Sequence, residues 1–216
     1  MPDSGGIGAA PSRDCSGCPR LVRFREAHRE EHPGWHNGPV PSFGLLSARL
    51  LVVGLAPGLK GANRTGRPFT GDYAGDLLYP TLIRHGFAAG DYRASPDDGL
   101  RLIDCRITNT VRCVPPENKP ETLEIAACRP FLAEELKAMP QLRAILALGT
   151  VAHAGTLQAL GLKRAPHPFK HGSVHPLGNG LILTDSYHCS RYNTNTGRLT
   201  EAMFDAVVGG LARMLG

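Results

Sequence analysis

The stretch LLVVGLAPG, residues 50–58, leads almost directly into GANRTGRPFTGDYAGDLLYPTL, residues 61–82. The first segment is a short apolar run of the kind that forms a buried strand. The second is rich in glycine and threonine, and it carries the flat ring of Phe69 and the carboxylate of Asp72. A glycine-rich loop with this conformational freedom, directly after a buried strand, favours either a phosphate cradle or a pocket for a flat polar ligand.

The loop contains neither of the two commonest nucleotide-binding motifs. The patterns G-x-x-x-x-G-K-[ST] and G-x-G-x-x-G are both absent, and no lysine follows the glycines. A ligand pocket would use Phe69 as a stacking surface and Asp72 as a carboxylate. The alternatives are a Phe69 that packs in the core and an Asp72 that only hydrogen-bonds the backbone of its own turn.

Three more apolar runs follow the first, and segments with helical periodicity separate them. The runs are CRITNTV (105–111), AILALG (144–149) and LILTDSYH (181–188). Strands that alternate with helices predict a parallel sheet covered by helices on both faces. The chain of 216 residues fits one α/β domain, which we place at residues 13–216 after a flexible tail at residues 1–12.

In a sheet of this type, ligands bind beyond the carboxyl ends of the strands. This rule selects the loop after Pro57, Asn109 with the residues after it, the segment GTVAHAG (149–155), and the residues from His188 onward. His188 could equally be structural. Farther along, Asn195, Thr196 and Gly197 could cap the final helix, or backbone N–H groups at its start could bind phosphate.

Composition and charge suit contact with a polyanion. The formal net charge is +5, and 19 of the 24 basic residues are arginine. Arginine binds phosphate through two parallel hydrogen bonds, although a GC-rich genome would also enrich it. No apolar run approaches the roughly 20 residues that span a bilayer. The amino terminus does not resemble a secretory signal, so we expect a cytoplasmic monomer without a membrane partner.

Six cysteines in a chain expected in the cytoplasm indicate a metal or redox site rather than disulfides. Cys15 and Cys18 form a Cys-x-x-Cys pair, and Cys113 and Cys128 flank a proline-rich loop. Four such thiolates bind zinc or an iron–sulfur cluster, and their spacing leaves both open. The two other cysteines are expected to be buried thiols.

Four pieces of the chain together resemble the family 5, or type B, uracil-DNA glycosylases. They are GLAPGLKGANRTGRPFTGD (54–72), ITNTVRCVPPENKP (107–120), HCSRYNTNTGRLT (188–200) and the four paired cysteines, in the family's order. The resemblance implies a three-layer α/β/α fold with a four-stranded parallel sheet. It also implies one [4Fe–4S] cluster, with Cys15, Cys18, Cys113 and Cys128 as its ligands. The chain departs from the family in one place, because Cys189 stands where a proline usually follows the histidine.

The resemblance further implies base excision repair of DNA, by hydrolysis of the N-glycosidic bond of a deaminated base that is flipped out of the duplex. Uracil is the expected base, with hypoxanthine and xanthine as further substrates. The residues expected to bind the base are Gly54, Ala56, Gly58, Phe69 and Asn109. Asp72 is expected to position the water, because GLAPG has no polar side chain, and His188 to stabilise charge on the departing base.

A DNA-entering loop is expected at residues 190–195, with Arg191 or Tyr192 at its tip. The residues expected to contact DNA there are Arg191, Tyr192, Asn193 and Asn195. Arg112 and Lys119 are further candidates for phosphate contacts, with simple solvation as the alternative. No lysine falls clearly on a strand end, so we expect a monofunctional enzyme rather than a lyase that forms a Schiff base.

Two other functions remain open from the residues alone. An iron–sulfur electron carrier or redox sensor explains the cysteines, but it leaves NRTGRPFTGD and NTNTGRLT without a role. A non-catalytic nucleic-acid-binding module with structural zinc is the second alternative. Neither accounts for as much of the chain as a glycosylase does.

Overall fold

A five-stranded sheet forms the centre of the computed structural model, which describes residues 10–216; the predicted tail therefore lies mostly outside the described residues. The four parallel strands are β1 (Leu50–Gly54), β4 (Cys105–Asn109), β5 (Ala144–Leu148) and β7 (Leu181–Ser186). An antiparallel edge strand, β6 (Val174–Gly178), gives the order β4-β1-β5-β7-β6. A small separate hairpin joins β2 (Ala88–Ala89) to β3 (Arg101–Leu102).

Helices cover both faces of this sheet. They are α1 (Pro19–Glu31), α2 (Ala62–Thr65), α3 (Tyr73–Arg84), α4 (Thr122–Lys137), α5 (Thr150–Ala159), α6 (Arg191–Asn195) and α7 (Glu201–Leu215). Alternate side chains of β1 enter opposite layers, with Leu50 and Val52 in the core under α3 and α7, and Leu51 and Val53 in the core under α4 and α5. The predicted three-layer α/β/α fold is confirmed.

The sequence reading missed β6 because its segment VHPLG lacks the strand pattern. Pro176 cannot donate a ladder hydrogen bond, and His175 is its one buried residue. Both features are tolerated here because β6 lies at the edge of the sheet. Among the described residues, every helix is too short or too polar to cross a bilayer.

The segment after His188 folds differently from the expected loop. Ser190 accepts a hydrogen bond from the Asn193 backbone N–H at 3.4 Å, and this cap starts the short helix α6. Thr196 ends α6, and Gly197 follows it with a φ of +70°. The idea that residues 195–197 cap the final helix is wrong, because Thr200 caps α7 through the Met203 backbone N–H at 3.2 Å.

Candidate active site

Parallel pairing brings the carboxyl ends of the central strands to one edge of the sheet. Gly54 at the end of β1 pairs with Asn109 at the end of β4. Ser186 ends β7, two residues before His188. The expected strand-end residues are therefore neighbours in space, although the chain separates them by more than 130 positions from Gly54 to His188.

The side chains of Phe69 and Asn109 pack closely against Gly54 at the strand ends, and this group of three residues is here named the slot. A methyl group on Gly54 would lie 2.3 Å from Asn109 Oδ1 and 2.5 Å from Phe69 Cζ, so only glycine leaves room for both side chains. Asn109 Oδ1 is buried and accepts no hydrogen bond from the described residues. A buried acceptor left unpaired costs about 1–3 kcal/mol. An aromatic ring beside such an acceptor suits a flat heterocycle that carries an N–H group.

Phe69 is held in this slot by a strained and well-supported backbone. Its φ of +53° lies in the left-handed region, which is unfavourable for an aromatic residue. The neighbouring Arg67 forms a buried bidentate pair with Asp98 at 2.8 and 2.7 Å, and the Tyr92 hydroxyl donates to the Phe69 carbonyl at 3.2 Å. Phe69 is 5% exposed, so it also belongs to the core, as the alternative interpretation held. Arg67 and Asp98 were not identified from the sequence.

The carboxylate of Asp72 faces two ways. Its Oδ1 accepts a hydrogen bond from the Gly75 backbone N–H at 3.4 Å and so caps α3. Its Oδ2 lies against the loop after β1, where a methyl group on Gly61 or Gly58 would come within 2.4 or 3.1 Å of it. Burial raises the pKa of Asp72, and the helix N–H groups partly oppose that rise. Asp72 is thus a helix cap with one oxygen directed at the strand-end loop.

His188 lies near Phe69, with 6.0 Å between the ring centroids. Burial lowers the pKa of His188 to about 4, so the imidazole is neutral at physiological pH. The next residue, Cys189, is fully buried, and burial together with the nearby Asp72 charge raises the pKa of its thiol to about 12. His188 thus lies near Phe69 of the slot, and the Asp72 carboxylate lies near the adjoining Cys189.

A pocket with a volume of about 210 Å³, here named the second pocket, lies next to the slot. It is lined by Leu55, which follows Gly54 in the chain, and by His188. Phe169 and Tyr187 form much of its wall. Arg198 also lines it, and its guanidinium lies 4.6 Å above the Tyr187 ring. The sequence analysis did not single out Phe169 or Arg198, because each depends on a contact between distant segments.

The structure separates the four residues expected to contact DNA. Tyr192 projects from α6 with 72% of its surface exposed. The Arg191 guanidinium instead lies over the Tyr73 ring at 5.2 Å. Asn193 donates to the His188 carbonyl at 2.8 Å, and Asn195 is exposed. Tyr192 is therefore the projecting tip of this segment.

Four of the six cysteines surround one cavity of about 170 Å³ with largely apolar walls. They are Cys15, Cys18, Cys113 and Cys128. No three of their sulfur atoms lie within 4.8 Å of one another. Sulfur atoms around a single tetrahedral zinc ion would be roughly 3.8 Å apart. The wider spacing favours a cluster of several metal atoms over one ion.

Burial, assisted by the neighbouring thiols, favours the protonated form of two thiols in this cavity, Cys18 and Cys113. Burial raises the pKa of Cys113 to about 12 and that of Cys18 to about 11, and neighbouring thiols add to both shifts. A group of buried thiolates therefore needs strong positive charge at its centre. The Arg112 backbone N–H donates to Cys128 Sγ at 3.4 Å, as expected for a sulfur that carries negative charge. This donor set fits an iron–sulfur cluster.

The cysteine cavity adjoins the strand-end loops. Ala56 packs against its apolar wall rather than in the slot, and the Val111 N–H donates to the Leu55 carbonyl at 3.0 Å. Pro11, from the predicted tail, lines the same cavity. Cys105 and Cys189 are buried elsewhere in the core, as expected.

One expected phosphate contact is wrong. Arg112 is 1% exposed and forms a buried ion pair with Glu135, and it also donates to Ser42 Oγ at 2.8 Å. Its charge is therefore used inside the protein. Lys119 remains a candidate, because its side chain is 80% exposed.

Comparison with known proteins identifies the family of this chain. Residues 41–212 match the model of the uracil DNA glycosylase superfamily. The chain is 46% identical over 209 residues to the type-5 uracil-DNA glycosylase of Thermus thermophilus, with 94% of each chain covered. It is 43% identical over 191 residues to the type-5 uracil-DNA glycosylase of Pyrobaculum aerophilum, covering 87% of this chain and 83% of that one. The chain is also 42% identical over 211 residues to the type-5 uracil-DNA glycosylase of Mycobacterium bovis, covering 94% of this chain and 78% of that one. The chain therefore belongs to the uracil DNA glycosylase superfamily and, within it, to the type-5 uracil-DNA glycosylases.

Proposed function

We propose that this protein is a monofunctional DNA glycosylase that removes uracil, and also hypoxanthine and xanthine, and leaves an abasic site. The observation that carries the proposal is the slot at Gly54. There the Phe69 ring and the unpaired Asn109 amide oxygen both lie against Gly54, His188 lies near Phe69, and Asp72 lies against the loop after β1. The family relationship supports uracil in DNA as the substrate.

The geometry supports a hydrolytic sequence with a role for each side chain. The flipped base stacks on Phe69, and Asn109 binds its edge. As the bond between C1′ of the sugar and the base nitrogen breaks, the electron pair moves onto the base. The neutral His188 stabilises that charge by donating a hydrogen bond. The ionised Asp72 accepts a proton from the water that adds to C1′.

The second pocket supports the wider range of bases. It adjoins His188 and offers about 210 Å³ of mostly apolar space beyond the slot. A purine is longer than a pyrimidine and could extend toward Phe169.

The proposal is tested with oligonucleotides that contain a single uracil, hypoxanthine, xanthine or normal base. Alkali cleaves the strand wherever the base has been removed. We expect cleavage after alkali, and not before it, for the three deaminated bases. Lack of cleavage at uracil would refute the glycosylase function, and cleavage at uracil alone would refute the wider base range. Cleavage before alkali would refute the monofunctional mechanism.

We also propose that Cys15, Cys18, Cys113 and Cys128 hold a [4Fe–4S] cluster with a structural role. Hydrolysis needs no electron transfer, and the cluster would supply a rigid link between segments. Its cavity supports Ala56 on the loop after β1 and Val111 on the segment after β4. The cluster would thereby hold together the two loops that border the base slot.

Cys128→Ser is expected to lower the iron content and the yield of folded protein. The variant loses one of the four cluster ligands, and three thiolates do not hold the cluster as firmly. The measurements are iron and sulfide content, with about four iron atoms per chain expected for the native protein, and the visible absorption. Cys105→Ala, which changes a buried thiol outside the cavity, is the control and should keep its iron. Zinc in place of iron in the native protein, or full iron in Cys128→Ser, would contradict the assignment.

Tyr192→Ala is expected to weaken activity on duplex DNA about tenfold and activity on single-stranded DNA much less. The exposed ring of Tyr192 can fill the gap left by the flipped nucleotide, and only a duplex has that gap. The measurement is the single-turnover rate of uracil release on both substrates. Tyr73→Ala, which frees Arg191 from its stacking contact, is the control. Equal losses on the two substrates in Tyr192→Ala would rule out a wedge.

A further inference from the structure

Residues 163–171, KRAPHPFKH, join α5 to β6 and are here named the basic segment. Lys163, Arg164 and Lys170 are exposed, and within residues 10–216 none of them forms an ion pair. Other basic side chains form ion pairs within the protein, as Arg67 does with Asp98. The basic segment thus presents three positive charges that the fold does not use.

A buried carboxylate anchors this segment. Asp185 is fully buried near the end of β7. Its Oδ1 lies 2.7 Å from His153 Nδ1, and its Oδ2 lies 2.9 Å from His175 Nε2, so each histidine forms a hydrogen bond to the carboxylate. The Lys170 backbone N–H donates to the same carboxylate at 3.3 Å. His153 Nε2 lies 2.9 Å from the His167 carbonyl oxygen. The basic segment is therefore held at two points of its backbone.

This buried group is a hydrogen-bond network rather than a metal site. Its ligand atoms lie within 4.8 Å of one another, as a metal site would require. However, the contacts of 2.7 and 2.9 Å to Asp185 are shorter than the roughly 3.3 Å between neighbouring ligand atoms around tetrahedral zinc. Both ring nitrogens of His153 face oxygen atoms, and both contacts are hydrogen bonds when both nitrogens carry a proton.

The basic segment also lies beside the candidate active site. Phe169 lines the pocket next to His188, and it packs edge-on against His153 with 5.6 Å between the ring centroids. His171 stacks on Tyr187 at 5.0 Å, and its Nδ1 accepts the Tyr187 backbone N–H at 3.1 Å. Lys170 lies between Phe169 and His171 in the chain, so its backbone is held close to the pocket.

We propose that the basic segment binds phosphates of the DNA strand beside the flipped nucleotide, and that the Asp185 network holds it in place for this contact. The inference rests on the proposed function, which makes DNA the substrate. Pro166 and Pro168 restrict the backbone between the anchor points. Cations on a fixed backbone lose little freedom when they bind, and each phosphate contact releases counterions.

The test compares two variants that each remove two exposed cations with no ion pair to any residue from 10 to 216. Arg164→Ala/Lys170→Ala changes the basic segment. Arg101→Ala/Arg213→Ala changes residues near the amino ends of the strands: Arg101 lies on β3 just before β4, and Arg213 lies in the last turn of α7, where the Leu215 carbonyl accepts a hydrogen bond from Arg49 just before β1. Binding to an undamaged duplex and to a uracil duplex is measured from 50 to 200 mM salt, as roughly the range over which phosphate contacts dominate.

We expect the first variant to bind about tenfold more weakly and to reduce the slope of log K against log salt by about 1.8, or 0.9 for each lost contact. Its single-turnover rate on uracil at saturating enzyme should stay within about twofold of native, because the chemistry is untouched. The control variant should keep both the slope and the affinity. Equal losses in the two variants would overturn the proposal, because they would show a general effect of net charge.

Asp185→Asn tests the anchor without removing a surface charge. Asparagine keeps the size of the side chain, but its amide cannot accept both histidine contacts. We expect DNA affinity to fall about fivefold while the surface cations remain, and native affinity in this variant would overturn the anchoring role. Binding to the undamaged duplex tests the basic segment even if the native protein releases no uracil, so this inference and the proposed function fail separately.

Discussion

His188→Ala is expected to lower the single-turnover rate of uracil release by about 10²-fold or more. The imidazole is neutral because burial lowers its pKa to about 4, and its ring lies 6.0 Å from the Phe69 ring that would stack on the base. A neutral donor preorganised beside the departing base stabilises the charge that develops there, and alanine offers no donor. Binding of DNA should change little, because this interaction strengthens in the transition state.

The measurement is the rate of uracil release at saturating enzyme, together with the affinity for uracil DNA. His85→Ala is a matched control, since His85 contacts Asp205 near the end of α3, away from the strand ends. It should keep near-native activity. An unchanged rate in His188→Ala, or a loss that appears only in DNA affinity, would remove His188 from the chemical step.

Asp72→Asn is expected to lower the same rate by about 10²-fold while the protein stays folded. The amide oxygen of asparagine can still cap α3 by accepting the Gly75 N–H, so the structural role is kept. The negative charge that would accept a proton from water is lost. Asp76→Asn, in the first turn of the same helix and exposed, is the control and should be nearly neutral.

The pH dependence of the native rate provides an independent check on Asp72. The carboxylate accepts a proton only when it is ionised, so the rate should fall as the pH drops through the Asp72 pKa. Burial raises that pKa, so the fall should begin at a higher pH than an exposed aspartate would give. His188 should add no inflection near 6.5, since its pKa lies at about 4. Asp72→Asn should remove the acid limb, and a limb that persists in this variant would assign it to another group.

The local sequence determined the layers of the fold and the elements that carry the site. Apolar runs such as 50–54 and 144–148 are buried from end to end, and their alternation with helical periodicity allows few arrangements other than a parallel sheet between helices. The rule that ligands bind at the carboxyl ends of such strands then predicted that Asn109 and His188 lie at one site. The cysteine spacing paired Cys15 with Cys18, and the family resemblance added the two other thiols.

Only the tertiary structure decided which side chains are free to act. Arg112 was a candidate for a phosphate contact from the sequence, but the fold places it in an ion pair with Glu135 in the interior. Asp72 proved to be both a helix cap and a group facing the loop after β1, because α3 starts where that loop returns to the sheet. The Arg67–Asp98 pair and the Asp185 network join residues that are 31, 32 and 10 positions apart. Such contacts follow from how strands and loops pack in three dimensions, and no local pattern of residues encodes them.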